Sequence, residues 1–453
     1  MIIFLFLSVV VMLCISLFSG DMSTTVSLIS FFIIGTGISY WLSNKNKAEL
    51  IHLLSIFYLA FLIYTSYTML AYWGYTAVNS FFIYPDQDHF YTVAEQLGNK
   101  PSINAIFNSC FIYREHIEQE GAYFLFGTLA FIANKYLTGN TVLFQIINVS
   151  ALAVLINLFI YKTLLFYVKK ELAFKYTLFY LFFAYVLSFS PWLLRDIHIT
   201  LLFTIAIYLV HRPFTINRLL FLILLQFITL EFRFESGIAF SFFPLLFLYT
   251  KAGNNKYRRF YYFLTTVIVV FIAALSIKYI LSSLSTVFMV IDRYAEATSL
   301  SAEDSGGLGA ILYRLPFGIK QLSVTAFSQI SPFPPWFQLA NSNSIPQILL
   351  AIVAGIAPVF WGYVVFISFI NLKKYYKKLP KLSIWLLGFM ALFLLANSSN
   401  INVRRIMAVY PIMYILFVYI QSQQTKQIII KNKLKYIFMY SGLLIIYSML
   451  KFL

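Results

Sequence analysis

The stretch Thr141–Tyr161, TVLFQIINVSALAVLINLFIY, carries no charge from end to end and is followed at once by Lys162. A helix that crosses a bilayer needs about 20 mostly apolar residues. The stretch therefore reads as a span that stops at a lysine. Comparable runs lie near 2–19, 24–43, 50–72, 174–190, 196–211, 217–231, 236–250, 260–281, 346–371, 382–397, 405–421 and 436–451. A further run at 121–136 is shorter and ends in Asn134-Lys135. The first run has no Lys or Arg before it and no small-residue cleavage pattern after it, so it is expected to be a retained helix and not a signal peptide.

Composition agrees with this reading. The chain has 453 residues, of which 61% are hydrophobic and 11% charged, whereas soluble domains carry roughly 25% charge. So few charges cannot cover a water-facing surface, which excludes a soluble enzyme, a disordered protein and a disulfide scaffold. Cys14 lies in the first apolar run and Cys110 in a polar stretch, so no structural disulfide is expected. The expectation is an all-α polytopic membrane protein with about 13 transmembrane helices (12–14), forming a single multi-span domain over 1–453.

The net charge of +17 would suggest nucleic acid if the charges formed one patch. They are instead sorted by side. With the amino terminus inside and thirteen spans, 21 of the 33 basic residues fall in inner loops, with Glu49 and Glu171 as the only acids there. Positive-inside sorting and anionic inner-leaflet lipids account for the excess, and no nucleic-acid partner is expected. The same sorting requires 121–136 not to cross, because a crossing would turn the Lys373–Lys381 cluster outward. That run is expected to lie in the outer interface or to re-enter.

Two outward connections are long: 73–140 and 282–345. Long ordered loops are usually functional. Stretches such as Ile103–Tyr113 and Ile311–Phe327 are expected as amphipathic helices on the membrane surface. No internal repeat is visible, and Lys278 is among the few charges within a span. Both points weigh against a transporter.

The outer side is rich in arginine and the inner side in lysine. Arginine offers a planar fork for bidentate phosphate binding, whereas lysine is a hydrated point charge. The outer arginines are Arg114, Arg195, Arg233, Arg293, Arg314, Arg404 and Arg405. Charges that enter apolar spans are costly and usually functional. Arg195, Asp196 and His198 enter one run, with Arg195 and His198 at i and i+3. Glu231, Arg233 and Glu235 occupy a tight turn between two runs, and either an ion network or phosphate binding by Arg233 explains them. Arg404 and Arg405 follow Asn397–Val403 on the side where cations are otherwise scarce. Asp86, Asp88 and His89 offer two carboxylates and an imidazole for base chemistry, sugar binding or a divalent metal, although no metal is indicated. Gly-x-Ser-x-Gly, His-Glu-x-x-His, Cys-x-x-Cys and P-loop motifs are absent, which disfavours a serine hydrolase, a zinc protease and an ATP-driven pump.

In its many spans, two large outer loops, outer-face arginines and acidic first loop, the chain resembles bacterial polysaccharide polymerases of the Wzy type. More broadly it resembles membrane glycosyltransferases of GT-C architecture. Pro191-x-x-x-Arg195-Asp196 at the start of a span and the Ser331–Trp336 run are similar to segments of such proteins. Arg114 to Gly121 and Arg293 to Gly306 are loosely similar to paired arginine–glycine loop motifs. The resemblance implies glycosyl transfer from an undecaprenyl-linked donor to a glycan acceptor at the periplasmic face of an inner membrane. Polymerisation of repeat units is favoured over single-sugar transfer or ligation to a lipid core, and a lipid-linked oligosaccharide flippase is the rival of another class. Partners would be the lipid-linked substrates, membrane lipids and a chain-length regulator. Asp86, Asp88 or His198 would be the base. Arg195, Arg233, Arg404 and Arg405 would hold phosphate, with Arg293 and Arg314 as loop contributors and Asp196, Glu231, Glu235, His89 and Arg114 in support.

Overall fold

The structure is a computed structural model of the chain, and it describes residues 1–76, 85–113, 119–252, 260, 267, 314–316, 318–329, 333–336, 339, 342–396 and 403–452. Among them every regular element is a helix. In chain order these are α1 (Ile2–Ser19), α2 (Met22–Leu42), α3 (Lys47–Thr76), α4 (Pro85–Gly98), α5 (Ile103–Phe107), α6 (Glu120–Tyr136), α7 (Val142–Leu164), α8 (Lys170–Phe183) and α9 (Tyr185–Phe189). They continue as α10 (Asp196–His211), α11 (Ile216–Phe232), α12 (Phe234–Phe240), α13 (Phe242–Ala252), α14 (Ile319–Ser328), α15 (Ile345–Tyr375), α16 (Lys381–Ala396), α17 (Ile406–Ser422) and α18 (Lys426–Phe452).

Seven helical stretches are long and apolar enough to cross a bilayer: α1, α2, α3, α7, α8 with α9, α15, and α17 with the turn before it. The protein is thus a helical membrane protein. Helix α10, the stretch from α12 into α13, and α16 are apolar but shorter. Apart from Phe260 and Val267, the run at 260–281, with Lys278 in it, lies outside the described residues.

Polar residues start the helices. Asp21 accepts the amides of Ser23 and Thr24 at the head of α2, Thr141 accepts Phe144 at the head of α7, and Thr215 accepts Arg218 at the head of α11. Each satisfies a backbone donor that the helix itself leaves open. Pro358 and Pro411 sit inside α15 and α17, where neighbouring helices can compensate the lost hydrogen bond.

Side-chain bonds fix which helix ends lie together. Lys162 near the end of α7 pairs with Glu49 at the start of α3, at 2.6 Å. Tyr167, just past α7, bonds His211 at the end of α10 and Ser383 at the start of α16. Tyr419 near the end of α17 donates to the Lys378 carbonyl. This is the lysine end of the bundle. At the opposite end, Asp21 accepts from Thr138 and Thr141. Burial alone would raise the Asp21 carboxyl pKa, but hydrogen bonds from Thr138, Thr24, Thr141 and the Ser23 amide outweigh it and lower it. Because α7 and α10 have neighbouring carboxyl ends, their amino ends, Val142 and Asp196, both face this second end.

Helix α6 lies across that second end. Its middle carbonyl, at Phe126, accepts from Gln145 in the first turn of α7. The Phe126 ring meets His198 in the first turn of α10. Helix α4 lies along α6, with Phe90 against Tyr123 and Phe126. The two backbones come close at glycines. A Cβ on Gly127 would lie 2.6 Å from Leu97 Cβ, and one on Gly98 would lie 2.7 Å from Ala130 Cβ. Gly127→Val is therefore expected to cost about 1–3 kcal/mol by overpacking, read as a lower melting temperature in detergent. Gly388→Ala, where nothing lies within 4 Å, is the control and should leave the melting temperature in place or raise it slightly.

The second long segment does not form a surface helix over all of Ile311–Phe327. Its described helix is α14, which buries Val324 and Ser328 and exposes Ile319 and Leu322. The Gln329 side chain just after it accepts from the Trp361 indole at 2.9 Å. The Pro335 backbone lies close against Gly355 of α15. Neither Cys14 nor Cys110 forms a disulfide.

Candidate functional site

Three apolar runs begin or end with a charge at the second end of the bundle, and the fold brings these charges together. Asp196 is the first residue of α10 and is buried, with 3% of its side chain exposed. At that position the helix dipole favours a carboxylate. Arg233 separates α11 from α12 in an extended conformation, which turns its side chain out of both helices. Gly237 lets α12 fold back, since a Cβ there would lie 2.4 Å from the Leu230 backbone. The Arg233 guanidinium then lies 2.9 Å from Asp196 Oδ1.

Arg404 arrives from the short 3-10 turn Val403–Arg405 before α17. Its Nη1 lies 4.0 Å from Asp196 Oδ2 and donates to Asp86 Oδ2 at 2.9 Å. Asp86 belongs to the first turn of α4 and is 54% exposed. Arg404 thus bridges a buried carboxylate and an open one. Arg195, immediately before α10, donates to the Phe232 carbonyl at 2.8 Å. That carbonyl is one of those a helix leaves unpaired at its end. Burial lowers the Arg195 pKa, and the neighbouring Arg233 charge lowers it further, to about 10, while Asp196, Glu235 and Asp86 oppose this. Arg195 therefore still carries its proton at neutral pH.

The other residues picked out in the sequence take different places. Both Arg195 and His198 meet Phe232, but the His198 ring is buried, stacked on Phe232 and set edge-on to Phe126. Asp88 and His89 are exposed on α4, and His89 meets Tyr123 edge-on. A helix points residues i and i+2 in different directions, so Asp86 and Asp88 diverge. Among the described residues no group of three or more His, Cys, Asp or Glu side chains gathers as for a metal. Glu231 lies in the last turn of α11, where its backbone packs on Gly121 at the start of α6. Glu235 is exposed in the first turn of α12. Arg405 ends the turn that carries Arg404, and Arg314 is exposed in a turn before α14. Arg114 and Arg293 lie outside the described residues.

One acid was missed by the sequence reading. Glu120 opens α6 and is only 2% exposed. The signal that marked Asp196, a carboxylate at the first residue of an apolar run, is present at Glu120 too.

The arrangement has a clear chemical capacity. Three guanidinium groups and two carboxylates converge from four distant segments, and one carboxylate stays open to solvent. Such a cluster can take up a phosphate on its arginines while a half-exposed carboxylate accepts a proton. No protein-family model, curated protein or solved structure matches the chain.

Proposed function

We propose that the protein transfers a glycosyl group from a polyprenyl-phosphate-linked donor at the outer, periplasmic face of a bacterial inner membrane, most simply as a polymerase of lipid-linked repeat units with a GT-C-like, thirteen-span architecture. The observation that carries this reading is Arg404, held between half-exposed Asp86 and buried Asp196. A lipid-linked donor keeps its tail in the bilayer and its phosphates at the surface, where the arginines of this cluster would meet them.

In this reading Asp86 is the base. It takes the proton of the acceptor hydroxyl, the freed oxygen attacks the anomeric carbon, and the bond from that carbon to the donor phosphate breaks. Arg195, Arg233 and Arg404 offset the charge on the leaving phosphate, which is the kind of preorganised stabilisation that needs no nucleotide. Donor binding draws Arg404 from Asp86 to phosphate and so exposes the base only when substrate is present. The buried, ring-packed position of His198 and the outward direction of Asp88 favour Asp86 for this role. The polymerase version draws on the resemblance set out above.

The test is complementation of a deletion strain, read on gels of surface glycan. The deletion should leave one-unit glycans, and Arg404→Ala should fail to restore chain length. Full restoration by both Arg404→Ala and Arg195→Ala would remove the basis of the proposal. Absent glycan would indicate a single-sugar transferase or flippase, and an undecorated lipid core with intact polymer would indicate a ligase.

A further inference from the structure

A second feature shares no lining residue with the arginine cluster. Helices α8, α15, α17 and α18 enclose a groove of about 710 Å³. Its walls are aromatic and aliphatic, among them Phe179, Phe183, Ile356 and Phe360. Pro335 and Trp336 line it towards the outer end, and Lys175, Gln421 and Lys433 line it at the lysine end. Lys175 and Lys433 sit near the starts of α8 and α18, and Gln421 near the end of α17. Tyr436 fastens α18 to α15 by donating to the Val359 carbonyl at 2.6 Å, so the groove has a fixed wall and not a loose gap.

Two observations say what the groove is shaped to hold. Among the described residues no acid lines it, and Lys175 rests 6.0 Å over the Phe179 ring and pairs with no described carboxylate. Lys175 also lines a neighbouring, more polar pocket of about 480 Å³, together with Tyr167, Lys169, Glu171, Ser422 and Gln423. An apolar slot that opens at one end into a polar pocket with a net positive lining matches an amphiphile with an anionic head. The head belongs at the lysine end, away from Asp86 and Arg404. A donor whose phosphate meets the arginines would have to enter this groove upside down.

We propose that this groove is a binding site for an anionic phospholipid of the lysine-side leaflet, with its phosphate at Lys175 and Lys433, its polar head towards Ser422 and Gln423, and its acyl chains along α15. This proposal stands apart from the glycosyl-transfer reading and does not depend on it.

Native mass spectrometry of the delipidated full chain in detergent tests it, with phosphatidylglycerol and phosphatidylcholine as probes. The wild type is expected to retain phosphatidylglycerol in preference. Since each lysine near an anionic lipid contributes about 5-fold, the double variant K175A/K433A should lose about 25-fold in that affinity and keep its weak phosphatidylcholine binding. Ile356→Trp, which fills the groove and leaves the charges in place, should lower retention of phosphatidylglycerol as well, and it carries the test if the double variant does not fold. Equal retention of the two lipids by the wild type, unchanged phosphatidylglycerol binding in folded variants, or preference for an undecaprenyl phosphate probe would each overturn the proposal.

Discussion

Asp196→Ala is expected to lower the melting temperature of the detergent-solubilised protein more than any other single change in the charged cluster. The carboxylate is buried and faces Arg233 at 2.9 Å and Arg404 at 4.0 Å. Removing one member of a buried pair leaves the other charged and unpaired, at a cost of about 3–5 kcal/mol. The loss comes from the stranded guanidinium and not from the absent bond. Asp196→Ala combined with Arg233→Met should therefore be less destabilised than the sum of the two single variants. Neighbours in one ionic network commonly show coupling of about 0.5–3 kcal/mol. Simple additivity in this cycle would mean that the two side chains do not share a network.

Asp86→Asn is expected to behave in the opposite way. Its carboxylate is 54% exposed, and an exposed ion pair contributes only about 0–1 kcal/mol. The melting temperature should hardly move. Under the proposed mechanism, transfer should fall by about 10²–10⁴-fold, the usual span for general-base help. The measurement is the rate of glycan extension in isolated membranes, set beside thermal unfolding of the same variant. Asp88→Asn and His198→Gln should each leave most of the extension rate in place. A large loss with Asp88→Asn and none with Asp86→Asn would move the base to another face of α4.

The class of fold was legible because hydrophobic run length is a local property. The stretch over 141–161 became α7, and polar residues at its edges became caps and ion pairs. The candidate charges were legible for a related reason. An arginine or aspartate at the edge of an apolar run stands out against a background with 11% charge. Their partnerships were not legible. Asp86 and Arg404 are 318 positions apart, and no local pattern joins them. The sequence offered Asp86, Asp88 and His198 as equivalent bases. Helical geometry separates the first two, and the rings of Phe126 and Phe232 enclose the third. The packing partners of α6 were not legible either, because run length alone does not distinguish a face turned to α4 and the bundle end from one turned to lipid.

The pairing within the cluster also orders events during synthesis. Asp196 and Arg233 stand at the two ends of the α10–α11 hairpin, so in the proposed thirteen-span architecture they would neutralise each other as soon as that hairpin enters the bilayer, when either charge alone would be most costly. Asp86 is made before them, and its cation is made long after, just ahead of α17. A nascent chain that ends before Arg404 thus already holds the Asp196–Arg233 pair but lacks the Arg404 partner of Asp86. Completion of the charged cluster is in this way a late step of biogenesis, tied to the arrival of α17 and not to the synthesis of the helices that carry its other members.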